Sequence, residues 1–392
     1  MMQSRPWSNP HPAAIFGGME SKREADWEPQ DIQNHERRGE QSRTDAYPVL
    51  TLPGEIITEI FQHYLPPYPD CAPLFGEGSP LCLTHICRLW REIARKSPRL
   101  WRALRLPLRF KSPDLVHLAR RHLRLSGAMP LSLKFYTARD LATKLDLLLD
   151  HRDRWQYVAI ALHYVPEALQ GASIHAPLVT HLTLEYFLSD DKDEPPQIVA
   201  PQLHSLLCGP LTRMHSSVLA PESWATLTTL WMQFLNVAFL AQILGTTKAL
   251  QHCRLGNLEY SGFLADTLPG TRAPQPVLLP FLKVLILHGS GSHEVERKIH
   301  HYLPLACPHL NTLVVDEIFI DVTGTAQPGN TLAHVCAQWK CAPRLLHIVY
   351  SAFTLEHYRA AFPEVEDLEV SEHPSGVDEA WRRWGEWDWD HA

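Results

Sequence analysis

Few residues in this sequence combine the type and the spacing that catalysis requires. The segment Gly289–Ser292 reads Gly-Ser-Gly-Ser after a predicted strand, but it lacks the spacing of a phosphate-binding loop or a nucleophile elbow. A flexible turn is the better interpretation. The acidic run Asp190–Glu194 lacks the central glycine and the closing glutamate of an EF-hand, which favours a solvated loop over a cation site. These patterns predict a chain without a catalytic centre and without a cofactor.

The cysteines and histidines form no metal-binding pattern. Cys82 and Cys87 are five positions apart, as are Cys336 and Cys341, but neither pair has a companion ligand at zinc-finger spacing. The 23 histidines include no His-Glu-x-x-His motif. Several of the eight cysteines fall at apolar positions of periodic segments, where a free thiol acts as a small hydrophobe. We therefore predict no metal site, no disulfide in either pair, and a reducing compartment, cytoplasmic or nuclear.

Length and composition favour a globular chain with one large and one small domain. Of its 392 residues, 45% are hydrophobic, and a single core rarely grows beyond ~250–300 residues. The net charge is −7, and the densest basic cluster, Arg88–Arg109, fits a solvated face better than a phosphate-binding surface. No apolar run approaches the ~20 residues that span a bilayer, and none resembles a signal peptide. Neither nucleic acid nor a membrane is expected as a partner.

Two short helices are predicted near the amino terminus, after a polar segment that we expect to be disordered. The first begins at Leu52-Pro53-Gly54-Glu55, because a proline and an acidic residue favour the first turn, and it ends before Pro66. The second carries apolar residues from Leu83 to Ile93 and ends before Pro98. Two such helices bury little surface, so they need a partner or the domain behind them.

The rest of the chain repeats one apolar template, in which a start residue is followed by apolar residues at +2, +5 and +7. The starts are Pro177, Pro201, Ala225, Lys248, Pro280, Pro308, Pro343 and Pro363. The first of them lie 23 or 24 positions apart, and an earlier copy would include Trp155, Val158 and Ile160. This period is typical of leucine-rich repeats, which stack one strand per repeat into a curved parallel sheet. The alternative is a generic α/β domain whose parallel strands are apolar runs.

Residues 52–106 resemble an F-box, in the variant that is abundant in mushroom-forming fungi. The matching motifs are Leu52-Pro53-x-Glu55-Ile56, then Ile60, then Ile86-Cys87-Arg88-x-Trp90-Arg91, and finally Ser97-Pro98-x-Leu100-Trp101. Their order and separation agree with the family. The loop Leu65–Pro80 departs from it, because this loop is longer and richer in proline than in most F-boxes.

The resemblance implies a small all-helical F-box that docks on a Skp-family adaptor of a cullin–RING ubiquitin ligase. A leucine-rich-repeat-like solenoid would follow and present a protein substrate. No part of such a receptor is an enzyme. The implied adaptor-binding residues are Leu52, Pro53, Ile56, Ile60, Ile86, Cys87, Trp90, Leu100 and Trp101. Apolar anchors at i, i+4 spacing suit a helix-in-groove contact. Two alternatives stay open: the same residues form the core of the F-box itself, or the chain is a non-catalytic scaffold whose F-box acts outside a ligase.

The sequence thus predicts four segments. These are a disordered tail over residues 1–46, an F-box over 47–106, a leucine-rich-repeat-like domain over 107–374 and a tryptophan-rich tail over 375–392.

A substrate-binding stripe is predicted from the alternation of side chains along a strand. If template residues +5 and +7 point into the core, then +6 points to the opposite face. The +6 residues that we assign to substrate binding are Leu207, Trp231, Arg254, Ile286, Val314 and Val349. A long exposed apolar stripe usually marks a binding site. The alternative is that the carboxy-terminal tail covers the stripe with its four tryptophans, Trp381, Trp384, Trp387 and Trp389.

Overall fold

A computed structural model describes much of the chain. The described residues are 48–106, 113–137, 142–162, 169–186, 196–209, 216–233, 237–256, 276–289, 303–320 and 328–372. Within these ranges the chain has nine α-helices and an eleven-stranded parallel sheet, which confirms the predicted α/β class. The described residues from Gly54 onward belong to one compact unit.

Three short helices, here called the helical module, open this unit. They are α1 (Gly54–Tyr64), α2 (Pro80–Ile86) and α3 (Arg88–Lys96). At the start of α2 the Ser79 hydroxyl accepts a hydrogen bond from the amide of Leu81, and Pro80 occupies the first turn, where no amide hydrogen is needed. At the start of α3 the sulfur of Cys87 accepts a hydrogen bond from the amide of Trp90 at 3.4 Å. The single second helix expected from the sequence is therefore two helices that meet at Cys87.

The helical module has a core of its own. The buried side chains in this core are Ile57, Phe61, Leu83, Ala94, Leu100 and Trp101. Trp90 packs edge-on against Phe61 with ring centroids 4.9 Å apart. The indole nitrogen of Trp101 donates a hydrogen bond to the carbonyl of Ala94 at 2.8 Å, so the largest buried group is also satisfied as a donor.

The main sheet contains eleven parallel strands that lie side by side in chain order. They are β1 (Ala103–Leu106), β2 (Leu131–Thr137), β3 (Trp155–Leu162), β5 (His181–Tyr186), β7 (Ser205–Cys208), β8 (Thr229–Gln233), β9 (His252–Gly256), β11 (Val284–His288), β13 (Thr312–Asp316), β14 (Leu345–Val349) and β15 (Asp367–Ser371). Two parallel pairs lie apart from it: β4 (Ser173–His175) with β6 (Gln197–Val199), and β10 (Val277–Leu278) with β12 (Leu305–Ala306).

Strand pairing follows the apolar template. Leu182 pairs with Leu206, Leu206 with Leu230, and Leu230 with Cys253, and all four are buried in one core. Each is the +5 residue of its template copy, and the +7 residues of the same strands join the same core. The template therefore predicted the strand positions and the buried face correctly over β5 to β9.

The template is misaligned in one strand and incomplete at the beginning of the sheet. Placed from Pro343, it assigns Ile348 to +5, but the residue that pairs with Leu313 and Leu368 is Leu346. The slip is two residues, so the buried face is still the right one. β1 and β2 precede the first template copy, and β1 lies inside the segment assigned to the F-box.

Six further helices complete the described elements. They are α4 (Pro113–Leu125), α5 (Ala142–Leu149), α6 (Pro221–Ala225), α7 (Val237–Thr246), α8 (Pro328–Gln338) and α9 (Leu355–Arg359). Helix α4 links the helical module to the sheet. Its Leu123 is fully buried in the core of the sheet, and its His122 packs edge-on against Trp101 with ring centroids 5.1 Å apart.

The proline-rich loop between α1 and α2 is bound to the first strands of the sheet. The hydroxyl of Tyr68 donates a hydrogen bond to Gln156 Oε1 at 2.7 Å, and the guanidinium of Arg102 lies 3.6 Å from the centre of the Tyr68 ring. The amide of Arg105 in β1 donates to the carbonyl of Ala72 at 2.8 Å. The loop that departs from the F-box pattern thus fixes the helical module to the edge of the sheet.

Candidate functional site

Exposed hydrophobic side chains are concentrated in and beside the helical module. Of the twelve large hydrophobic residues exposed in the described part of the chain, seven lie between residues 52 and 89. They are Leu52, Ile56, Ile60, Tyr64, Phe75, Ile86 and Leu89. Single exposed apolar residues are ordinary, whereas a concentration of them usually marks a binding surface. The six from Ile56 to Leu89, which belong to the compact unit, are therefore the candidate site.

Helix α1 carries two apolar rows. Ile57 and Phe61 are fully buried in the core of the helical module. Ile56 and Ile60, also one helical turn apart, are 49% and 40% exposed, and Tyr64 continues their row. The buried row is enough to hold α1 in place, so the exposed row is available for a partner. An apolar row at i, i+4 spacing fits the groove-docking mode of recognition.

The junction of α2 and α3 adds two exposed apolar residues and two structural ones. Ile86 is 59% exposed and Leu89 is 39% exposed. Cys87 and Trp90 are half-buried, because Cys87 caps α3 and Trp90 packs against Phe61. Ile86 therefore lies on the surface, as the resemblance implied. Cys87 and Trp90 stabilise the helical module and are also partly exposed.

Leu100 and Trp101 do not lie on the surface. Their side chains are 2% and 1% exposed and form the centre of the module core. A partner cannot reach them in this conformation, so the alternative that they are core residues is the correct one. The reason is the 3-10 turn Pro98–Trp101, which folds both side chains under α3.

Leu52 and Pro53, the first residues of the matched motif, are both exposed. The sequence prediction missed three exposed apolar residues, Tyr64, Phe75 and Leu89. Tyr64 could have been found from its spacing to Ile60, whereas nothing in the matched motifs distinguishes the other two.

The charges on the same helices are solvated. Arg88 pairs with Glu92 at 3.1 Å and His63 lies 3.7 Å from Glu59, with all four side chains more than half exposed. Exposed pairs of this kind contribute little to stability. They form a polar surrounding for the apolar rows, which is the usual composition of a protein interface.

The predicted substrate-binding stripe is covered rather than open. Ile286, Val314 and Val349 are not exposed at all and pack together with Val284 in a second apolar cluster. Leu207 is buried against Ala159 in a third. The expected face is correct, because these residues lie opposite the main core, but the open groove is wrong. The four tail tryptophans proposed as a cover lie outside the described residues.

Val349 occupies a different row from the other stripe residues. It pairs with Asp316 and Ser371, while the partner of Val314 is His347. His347 is buried, and its Nε2 lies 3.1 Å from the hydroxyl of Ser371. Burial lowers the pKa of His347. The row assumed to be apolar thus ends in polar residues, His347 and the exposed Glu369.

Trp231 and Arg254 form a pair at the middle of the stripe. The guanidinium of Arg254 lies 4.6 Å from the centre of the Trp231 ring, a cation–π contact between neighbouring strands. Trp231 is half-buried and touches both apolar clusters, whereas Arg254 is 7% exposed. Trp231 is therefore the stripe residue with the most surface left for a partner.

Replacing Ile286 by valine should destabilise the protein by about 1 kcal/mol, because one methylene is removed from a fully buried site. The matched change at an exposed position is Ile86→Val, which should cost less than about 0.5 kcal/mol. Urea unfolding of both variants measures the difference. Equal, negligible costs would mean that Ile286 is open to solvent after all.

The carboxyl ends of β13 and β14 are joined by a buried polar network. Glu317 accepts hydrogen bonds from the hydroxyls of Ser351, at 2.7 Å, and Tyr358, and from the amide of Ala352 at 2.8 Å. Burial raises the pKa of Tyr358. Every donor here is paired within the fold, so the network fastens the loop after β14. No pattern in the sequence indicated this network.

The remaining sequence predictions concern chemistry and membranes. Gly289 donates its amide to Asp316 Oδ2 at 3.3 Å, while Ser290–Ser292 and Asp190–Glu194 lie outside the described residues. Among the residues that the structure describes, no group of three or more His, Cys, Asp or Glu side chains is arranged to hold a metal ion. No helix in the described ranges is both long enough and apolar enough to cross a bilayer.

The chain matches no protein-family model, and no curated protein aligns significantly with it.

Proposed function

We propose that this protein is a substrate receptor of a Skp–cullin–F-box ubiquitin ligase. The helical module would bind the Skp-family adaptor, which connects to the cullin, and the sheet domain would hold a protein substrate. The observation that carries the proposal is the second, exposed apolar row of α1, with Ile56 and Ile60, together with the exposed Ile86. These three residues belong to the motifs that resemble an F-box.

The connection between module and sheet supports this assignment. A receptor contributes no acid, base or nucleophile; it acts by holding a substrate lysine close to a charged ubiquitin carrier. Such positioning requires that the adaptor surface and the substrate surface be rigidly connected. One connection runs through the loop, in the hydrogen bonds of Tyr68 with Gln156 and of Ala72 with Arg105. Another runs through α4, in the ring contact of His122 with Trp101.

The docking surface is testable by binding of a purified Skp-family adaptor. Ile56→Ala and Ile60→Ala should each weaken binding about tenfold, because each removes an exposed anchor from the expected contact of roughly 1,200–2,000 Å². Calorimetric titration of the adaptor into each variant measures the change. The control is Phe281→Ala, which removes a large exposed side chain far along the chain in the sheet domain and should leave binding unchanged.

The outcomes separate this function from its alternative. Without adaptor binding by the wild-type protein at micromolar concentration, the receptor assignment fails. Adaptor binding that recruits no cullin would support a non-catalytic scaffold whose helical module acts outside a ligase. Binding that all three variants leave intact would place the contact elsewhere on the chain.

A further inference from the structure

Three cysteines converge on one turn at the end of α8. The helix closes with Lys340 in the left-handed region, at φ 55°. The amide of Lys340 donates to the carbonyl of Ala337 at 3.2 Å, and the amide of Cys341 donates to the carbonyl of Cys336 at 3.0 Å. These two bonds define a Schellman motif, which brings the side chain of Cys341, three residues beyond Gln338, onto the last turn of the helix. The turn therefore places Cys341 against Cys336.

Cys307 approaches the same turn from the residue after β12. Its amide donates to the carbonyl of Trp339 at 2.9 Å, and its thiol lies 3.7 Å from the same oxygen. As a thiol, Cys341 donates to the carbonyl of Cys336 at 3.6 Å. The thiols of Cys307 and Cys341 thus both lie against backbone carbonyls of the turn that ends α8.

The three thiols differ in access and in acidity. Cys307 and Cys336 are 0% and 4% exposed, whereas Cys341 is half-buried. Hydrogen bonding to Cys341 together with burial raises the pKa of Cys307 and Cys336. The same hydrogen bonds lower the pKa of Cys341. The thiol that solvent reaches is therefore the one that ionises, and only the thiolate is nucleophilic.

We propose that Cys341 is a site of reversible oxidation by hydroperoxides, with Cys336 as the thiol that converts its oxidised form into a disulfide. All eight cysteines are free in the structure. The sequence predicts no standing disulfide between Cys336 and Cys341 in a reducing compartment, and the bridge proposed here is transient and forms only with peroxide. This assignment is independent of the adaptor-docking function.

The chemistry needs one equivalent of peroxide. The thiolate of Cys341 attacks one peroxide oxygen, the oxygen–oxygen bond breaks, and the sulfur becomes a sulfenic acid while the other oxygen leaves as water after protonation. Oxidation removes the Cys341 thiolate, whose hydrogen bond and charge raise the pKa of Cys336. Cys336 then loses its proton, its thiolate attacks the sulfenic sulfur, and the hydroxide that leaves takes up a proton to become the second water. In total, two thiols and one hydrogen peroxide give one disulfide and two waters. Excess thiol reductant restores the starting state by exchange.

The backbone brings Cys336 and Cys341 together at this turn. A disulfide requires Cα atoms roughly 4.4–6.8 Å apart. Cys336 and Cys341 are joined by a backbone hydrogen bond across a single turn, so the bond can form without moving an element of the sheet. Cys82 serves as an internal comparison for the rate of oxidation. Its thiol donates a hydrogen bond to the carbonyl of Gly76 at 2.8 Å.

The test is a titration of the full chain with hydrogen peroxide, followed by alkylation and peptide mass spectrometry without reduction. We expect a peptide linking Cys341 to Cys336, lighter by two hydrogens, at peroxide concentrations that leave Cys82 largely alkylated. The link should disappear on treatment with dithiothreitol. Cys341→Ser should lose the link, and Cys336→Ser should leave a sulfenic acid at Cys341 that a 1,3-dione reagent traps.

Three results would overturn the proposal: no link at any concentration that oxidises Cys82, a link that joins Cys341 to Cys307 instead, or no dione adduct at Cys341 in the Cys336→Ser variant. Circular dichroism of both variants verifies that they are folded. If one variant is unfolded, the titration of the wild-type protein still shows whether the link between Cys341 and Cys336 forms.

Discussion

Replacing Trp101 by alanine is expected to destabilise the protein by about 3–5 kcal/mol. The side chain is 1% exposed at the centre of the module core, and its loss removes the contact with His122 and the hydrogen bond to Ala94. Because net stabilities are about 5–15 kcal/mol, this is a large fraction of the total. Urea unfolding followed by far-ultraviolet circular dichroism measures the loss.

The matched comparison is Ile86→Ala, a change in the same sequence motif. Ile86 is 59% exposed, so its truncation should change the free energy of unfolding by less than about 0.5 kcal/mol while weakening adaptor binding. If instead Ile86→Ala destabilised the protein as much as Trp101→Ala, the division of the motif into a core and a docking surface would be wrong.

The F-box-like motif could not be divided in this way from the sequence. Ile56 is followed directly by Ile57, and Ile60 is followed directly by Phe61. Both rows of α1 therefore have the same helical periodicity. Nothing in the spacing distinguishes the row that packs on Trp101 from the row that faces solvent. The distinction depends on which face of α1 the helix α3 and the turn Pro98–Trp101 pack against, which is a property of the tertiary fold.

The sheet was predictable to a greater extent, because each strand repeats the same local pattern. The two-residue slip in β14 arises where Leu345, Leu346, Ile348 and Val349 leave two possible alignments of an apolar triplet. The strand ends at Val349, because Tyr350, which the template places at +7, has a φ of 53°. A single sequence shows the apolar residues but not the left-handed backbone at Tyr350, which selects one of the two alignments of the template on β14.

Strand alternation also predicted which residues share a face, but not what covers that face. Leu207 and Ile286 lie on the side opposite the main core, as period-two alternation requires. Leu207 packs against Ala159 and Trp231, and Ile286 packs against Val314 and Val349, so their neighbours lie in other strands of the sheet. A substrate of the proposed receptor would therefore meet the half-buried Trp231 and the exposed end of the row at Glu369, and not a continuous apolar groove.

Acid is expected to destabilise the junction between the helical module and the sheet through His122. Burial lowers the pKa of His122 from 6.5 to about 4, partly offset by the backbone of Ala103 and Trp101. Between these values the unfolded chain binds a proton that the folded chain does not, so stability falls as the pH falls. The neutral imidazole contributes its full stabilisation above about pH 6.5, and about 3 kcal/mol of it is lost by pH 4.

The contribution of His122 is isolated by comparison with His122→Phe, which keeps an aromatic ring beside Trp101 and cannot be protonated. Burial lowers the pKa of His252 and His347 as well, so the wild-type protein and the variant share that part of the acid sensitivity. The free energy of unfolding of the wild type should fall more steeply than that of the variant between pH 6.5 and pH 4. An exposed histidine, His175, supplies the control, since His175→Gln should follow the wild-type curve. Parallel curves for the wild type and His122→Phe would show that His122 takes up its proton in the folded state, which requires that this junction open to water.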